Sequence, residues 1–166
     1  HAGLDPERGI NALVAASKFV LDSPAWADET EGTTVTPTTL RAGTTTNTVP
    51  ALAQLTVDVR AWTRAEQLRV DSLVREWAAR QGDPERVVIS GGVDRPALEA
   101  SMSMPLFELA RGLADTIGLA PLDHRSVGGA SDGNLTAAAG HPTLDGLGAI
   151  GDGAHAEHEW VSVTGM

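Results

Sequence analysis

The sequence predicts an α/β protein in two unlike parts, an α+β sandwich of the split β-α-β kind followed by a stretch of α/β character. Three observations predict it. From Ala51 to Trp62 apolar and polar residues alternate strictly, with Ala53, Leu55, Val57, Val59 and Ala61 on one face and Gln54, Thr56, Asp58 and Arg60 on the other, the pattern of an antiparallel strand with one wet face. Segments with helical periodicity stand on either side of this strand. The composition then changes near residues 96–103, where Pro96 and Pro105 punctuate an extended run.

In chain order, Asp5-Pro6-Glu7 suits a helix start, with an acceptor for free amides, a proline at the first position and an acid near the positive end of the dipole. Ile10, Leu13, Val14, Ser17 and Leu21 continue it, predicting a helix over 6–21 that Asp22-Ser23-Pro24 ends. Nine threonines between 33 and 48 favour strand, expected over Thr34–Arg41 with a turn at Ala42-Gly43. Thr63-x-x-Glu66 is a capping box. Val70, Leu73, Val74 and Trp77 form the buried stripe of a helix over 64–80 that Gln81-Gly82-Asp83-Pro84 stops. A short strand is expected over Arg86–Ser90. The order α-β-β-α-β becomes the ferredoxin-like β-α-β-β-α-β with one strand added before His1. Beyond it the pattern predicts a helix over 105–117 capped by Gly118, a strand near 124–127, a helix near 132–139 and a strand near 143–147. About 65 residues are few for an α/β core, so this part is expected to belong to a larger domain, and the chain to be a piece of something longer.

Composition narrows the chemistry. With a net charge of −10 and pI near 4.8 the chain lacks the basic face that nucleic acid requires. There is no apolar run of membrane-spanning length and no visible signal peptide, so the cytoplasm is the expected compartment. No cysteine is present, which restricts any metal site to nitrogen and oxygen ligands. All cations but Lys18 are arginines, the better partners for a carboxylate.

The glycine-rich tail draws most attention. Gly146-x-Gly148-x-x-Gly151 matches a dinucleotide fingerprint, but Asp152-Gly153 follows in place of a helix, and that reading is rejected. His155-x-x-His158-Glu159 offers imidazole and carboxylate, the usual zinc donors, but taken by itself it reads first as a solvated acidic loop. His124 and His141 read as structural. Taken singly, His1 is a terminal residue, Arg60 half of a surface ion pair with Asp58, and Arg95 a hinge arginine.

Together these residues resemble a family. His1-Ala2-Gly3, Asn47-Thr48-Val49-Pro50 leading to Asp58-Val59-Arg60, Asp94-Arg95-Pro96-x-x-Glu99, Gly129-x-Ser131-Asp132-Gly133-Asn134 and a glycine-rich run to His155-x-x-x-Glu159 occur in one order. The pattern is similar to the co-catalytic zinc peptidases that include glutamate carboxypeptidase, aminoacylase and succinyl-diaminopimelate desuccinylase. The Arg95-Pro96 and Ser131–Asn134 runs are most like the glutamate carboxypeptidase branch. The resemblance implies that residues 1–95 are a lid or dimerisation domain without its first strand, and 96–166 the C-terminal part of an α/β zinc-peptidase catalytic domain. It implies that His1 is the catalytic lid histidine, serving the partner subunit's site in a homodimer. Asn47, Arg60, Arg95 and Ser131 would bind substrate, with Arg95 on its free carboxylate, and His155 would be a metal ligand. Two zinc ions and hydrolysis of an amide in a carboxylate-bearing peptide or N-acyl amino acid are implied for the complete enzyme. The family's other zinc ligands and its glutamate base are absent from these 166 residues, so the chain alone is expected to be inactive. His158 stands where the family has Asp or Asn. A non-catalytic dimerisation or small-molecule binding module that kept the lid fold is the alternative.

Overall fold

A computed structural model describes residues 1–83 and 86–165. Pro84, expected to help stop a helix, and Met166 lie outside them. The first part is built on a two-stranded antiparallel sheet, β1 (Thr34–Ala42) and β2 (Ala53–Arg60), flanked by helices α1 (Ala12–Asp22) and α2 (Arg64–Ala79). Strand register pairs Val35 with Val59 and Leu40 with Leu55. Alternation therefore puts these side chains on the helix-facing side. A register shift between Pro37 and Thr39 inserts one residue, and the Thr38 and Thr39 hydroxyls both meet that of Thr56. The bulge absorbs a proline that cannot donate to the ladder.

Helix α1 begins six residues later than the sequence suggests. Asp5 makes no side-chain cap, and Pro6–Arg8 forms a single 3-10 turn. Asn11 is the working cap, its side chain accepting from Val14 N at 3.2 Å. Gly9 interrupts the pattern, and a Cβ there would come within 3.1 Å of the Val49 side chain.

Few aromatics are present, and three of them make the centre. Phe19 sits edge-on to Trp26 at 5.4 Å and to Trp77 at 4.9 Å between ring centroids. Val35, Val70, Phe19 and Trp77 are buried around this junction of α1, α2 and the sheet. The Trp77 indole N–H donates to Asp22 Oδ2 at 3.1 Å, which satisfies its one polar atom. Gly32 holds φ +62, and any Cβ there would lie 2.0 Å from the Trp62 ring, so this turn requires glycine on two counts.

The capping box is made in half. Thr63 accepts from Glu66 N at 3.2 Å, but the Glu66 carboxylate turns to Arg69 Nε and Nη2, both at 2.7 Å, and to the Thr33 hydroxyl at 2.7 Å. Arg69 also donates to the Trp26 carbonyl at 2.8 Å. One carboxylate thus ties α2 to the entry of β1 and, through Arg69, to the turn after α1.

The strand expected at 86–90 does not form, although the residues described there follow α2 as anticipated. In a split β-α-β sheet that strand pairs with one preceding α1, and among the described residues no such strand exists. Without a neighbour its backbone has no ladder to join.

In the second part α3 spans Ala100–Thr116, opening five residues before the expected start. Pro105 therefore lies inside the helix, at the cost of one intrahelical bond. Gly118 at φ +73 closes it, with Leu119 N donating to Ala114 O at 3.0 Å, as a glycine cap should. Helix α4 is Gly133–Ala138, inside the expected range. The strands expected near 124–127 and 143–147 are not formed, and a two-residue hairpin, β3 (Gly151–Asp152) with β4 (Trp160–Val161), stands in the tail. Phe107, Ala114 and Ala137 are buried, while Leu109, Leu113 and Ile117 run exposed along one side of α3. The mixed helix-and-sheet architecture agrees with the α/β expectation. Among the described residues no helix is long and apolar enough to cross a membrane.

Arg69, and then Thr33, hold the Glu66 carboxyl below its ordinary range. A lowered folded pKa gives stability that is complete above the unfolded value of about 4.3 and is lost as pH falls through the folded one. Glu66→Gln is expected to be less stable than the parent at neutral pH, with the gap closing on acidification below about pH 4. Urea unfolding at a series of pH values checks this, and a gap independent of pH would refute it.

Candidate functional site

The loop between α3 and α4 gathers three of the six residues singled out by sequence. Arg60, last in β2, points from the polar face of the sheet. Its Nε donates to Asp58 Oδ2 at 2.7 Å and its Nη1 to the Gly128 carbonyl at 3.3 Å. Gly128 lies against the Arg60 stem, where a Cβ would meet Arg60 Cβ at 3.7 Å. The Asp58 bond and charge raise the Arg60 pKa, so this guanidinium is a fixed, fully charged group.

Arg95 reaches the same loop from the connection between the two parts. Its Nη1 lies 3.7 Å from Asp132 Oδ1, and Asp132 is 95 % exposed. That ion pair is loose and solvated, and such pairs hold little energy. Nearly all five guanidinium donors of Arg95 are therefore available to another anion.

Ser131 is held from several sides. Its N–H donates to Asn134 Oδ1 at 2.9 Å and its hydroxyl oxygen accepts from Gly133 N at 3.0 Å. The hydroxyl also acts on the Asp145 carboxylate, and together with Gly146 N it holds the Asp145 pKa below its ordinary value. Asn134 is buried, and its amide donates to the Pro96 carbonyl at 2.9 Å. Asp145 escaped the sequence reading altogether, as did Gln67, whose Nε2 donates to the Arg95 carbonyl at 2.8 Å. Gln67 is an ordinary polar position on α2, and Asp145 lies fourteen positions beyond Ser131 with no periodic relation to it. Asn134 stood in a motif, but only its burial reveals its work.

His1 and Asn47 form a second group. Ala2 N donates to the Asn47 carbonyl at 2.8 Å, and Gly3 N donates to His1 Nδ1 at 3.1 Å. His1 thus lines a shallow depression with Asp5, Arg8, Gly9, Thr48 and Val49. With Nδ1 accepting from Gly3 and the residue exposed, Nε2 carries the proton of a neutral ring.

His155 occupies the tip of the β3–β4 hairpin and is exposed. Its φ of +68 is the sole left-handed conformation of a non-glycine among the described residues. Such a backbone is uncommon outside glycine, although histidine is among the types that adopt it. Ala156 N donates to Gly153 O at 2.8 Å, closing the turn. The His158 ring lies instead over Gly153, where a Cβ would come within 3.1 Å of it. Among the described residues no hydrogen bond or ion pair joins His155 to the Arg60–Arg95–Ser131 group. Nor do three or more histidine, aspartate or glutamate side chains among them converge as a metal would need. These residues by themselves do not fit a zinc centre.

The Ser131 hydroxyl is the first cause of the low Asp145 pKa. Ser131→Ala is accordingly expected to move that pKa up toward the ordinary carboxylate value of about 3.9. An NMR titration of the Asp145 carboxyl reads it, and an unmoved pKa would show that the hydroxyl is turned elsewhere.

Comparison with known proteins bears on the whole arrangement. Residues 1–86 match the family model for the M20 peptidase dimerisation domain. The chain is 31 % identical to carboxypeptidase G2 of Pseudomonas sp. strain RS-16 over 179 aligned positions, covering 100 % of this chain and 41 % of that protein. It is 30 % identical to the uncharacterized protein YqjE of Bacillus subtilis strain 168, over 87 % of this chain and 39 % of the relative. Among solved structures it resembles the aminopeptidase PepT from Bacillus cereus ATCC 10987, with a TM-score of 0.69 at 27 % identity over 96 % of this chain and 42 % of PepT. The chain thus spans about two-fifths of the length of its relatives. By its matched dimerisation domain and the order of its motifs, the chain belongs to the M20 family of zinc peptidases.

Proposed function

We propose that this chain is the dimerisation domain, residues 1–95, and a closing segment of the catalytic domain, residues 96–166, of a homodimeric peptidase that hydrolyses an amide bond next to a free carboxylate. The observation that carries the reading is the convergence of two guanidiniums, Arg60 and Arg95, on the loop Gly128–Asn134. The carboxypeptidase name of one relative supports the choice of a carboxylate substrate.

The two arginines are suited to different work. Arg60 has two of its donors engaged, so it orders the glycine loop and offers its remaining N–H groups to a polar part of the substrate. Among the described residues the Arg95 guanidinium meets only the solvated Asp132, which water can replace at little cost. A substrate carboxylate can take the planar two-pronged face of Arg95 in charge-assisted bonds. Ser131, its hydroxyl turned to Asp145, presents the loop as one wall of the pocket. Asn47 and His1 are placed on a separate surface of the dimerisation domain, and we assign them to the active site of the partner subunit. There the exposed ring of His1 would donate to the oxygen that gains negative charge as the amide carbonyl is attacked.

Two zinc ions are proposed for the complete enzyme, where they would supply an activated water and polarise the carbonyl. His155 is proposed as one nitrogen ligand, the others coming from polypeptide beyond these residues. On this reading the 166-residue chain alone is inactive.

In the active enzyme, Arg95→Ala is expected to lower kcat/KM for a carboxylate substrate by ten- to a hundredfold, about 1.5–3 kcal/mol for a lost charged hydrogen bond. Equal loss on a substrate whose carboxylate is capped as an amide would remove Arg95 from that role. His1→Ala is expected to cut kcat by about two to three powers of ten with the metal retained. Loss of metal in that variant would make His1 a ligand. Bound zinc and cleavage of an N-acyl glutamate decide the reading as a whole. A dimer that binds no metal and cleaves nothing would return the chain to a binding or dimerisation module.

A further inference from the structure

Three consecutive residues between the two parts are each held by a side-chain amide. Gln67 Nε2 donates to the Arg95 carbonyl at 2.8 Å, and Gln67 Oε1 accepts from Ala97 N at 3.0 Å. Between them, Pro96 has no N–H, and Asn134 Nδ2 takes its one backbone polar atom, the carbonyl, at 2.9 Å. The other end of the Asn134 amide accepts from Ser131 N at 2.9 Å. Asn134 is 8 % exposed, so loss of either bond strands a polar group away from water. A further tie lies alongside, where Glu99 Oε1 accepts from Arg64 N, the first residue of α2, at 2.9 Å.

We propose that Gln67 and Asn134 are positioning residues that form a two-sided clamp on Arg95–Pro96–Ala97, through which helix α2 sets the stance of both the Arg95 guanidinium and the Ser131–Asn134 loop. The geometry that favours it is a two-pronged grip by Gln67 on one side and, on the other, an Asn134 amide that bridges Pro96 to Ser131. An amide that both donates and accepts fixes the plane of its partner as well as its distance, and Gln67 does so to residues two apart in the manner of a strand neighbour. Pro96 has a fixed φ, so the segment between the two amides moves as a unit. A displacement of α2 is then passed to Pro96 and from there, by Asn134, to Ser131, a residue that no hydrogen bond or ion pair joins to α2 directly among the described residues. The clamp itself stands on these distances alone; only its value for catalysis rests on the proposed function.

Amide hydrogen exchange on the labelled 166-residue chain tests it, with each variant read at the amide its own side chain does not bond. Gln67→Met keeps the shape of the side chain and removes both bonds. Exchange at Ser131 N is expected to rise about fivefold, the effect of one ordinary hydrogen bond, while amides from Val70 to Trp77 keep their protection. Asn134→Asp keeps an acceptor for Ser131 N but loses the donor to Pro96. Ser131 protection is expected to persist, and exchange at Ala97 N to rise by a similar factor. If either folded variant leaves the distant amide unchanged, the two side chains are independent local ties and the clamp is wrong. Each variant decides the matter without the other. A kinetic arm separates this from the proposed function. In the active enzyme Gln67→Met should raise KM for a carboxylate substrate and leave kcat within about twofold. Exchange coupling without any change in KM would uphold the clamp and overturn Arg95 as the substrate's anchor.

Discussion

The Glu66 carboxylate accepts from Thr33 ahead of β1 and from Arg69 one turn along its own helix, while Arg69 reaches the Trp26 carbonyl beyond α1. A half-buried carboxylate is stable only with such partners. By meeting them, Glu66 fixes the first turn of α2 against two separate stretches of chain. Gln67 is the residue after Glu66, and Arg64 stands two before Glu66. The placement of the connection to the second part therefore descends from this one ionic contact. The aromatic cluster of Phe19, Trp26 and Trp77 supplies the apolar counterpart at the far end of the same helix. It gives the bulk of the adhesion, whereas Glu66 gives the direction.

Much of the dimerisation domain could be read from the chain because its signals are local. Alternation in β2 and the apolar stripe with its Thr63 cap in α2 both describe elements whose main determinants lie within a few residues. The start of α1 was misread because Asp5-Pro6 is a sound opening whose continuation Gly9 spoils, which left Asn11 to begin the helix. The segment 86–90 has strand composition, yet a strand exists only with a neighbour, and sequence pattern says nothing about whether one is present. In α3, Pro105 reads as a boundary, but a proline one turn into a long amphipathic helix is tolerated when the rest of the helix buries Phe107 and Ala114.

The candidate site was legible to a different degree. Arg60, Arg95 and Ser131 were singled out by motif, and the fold draws all three to one glycine loop. Their supports were not legible, because a hydrogen bond between Gln67 and residue 95, or between Asn134 and residue 96, leaves no trace in spacing. His1 and Asn47 came from motifs 46 positions apart, and a single backbone bond from Ala2 joins them. His155 stands apart from both groups, held in a left-handed turn at the tip of the tail hairpin. Any function for it requires company that these residues do not supply.

Leu109, Leu113 and Ile117 make an oily stripe down one side of α3, in the part of the chain that follows the dimerisation domain. Two such molecules in water have two different reasons to stick together. A sizing column that reports a pair would thus be silent on which surface made it. Only a label placed in the dimerisation domain, read separately from one placed on that helix, can distinguish a pairing through that domain from one that bare leucine creates.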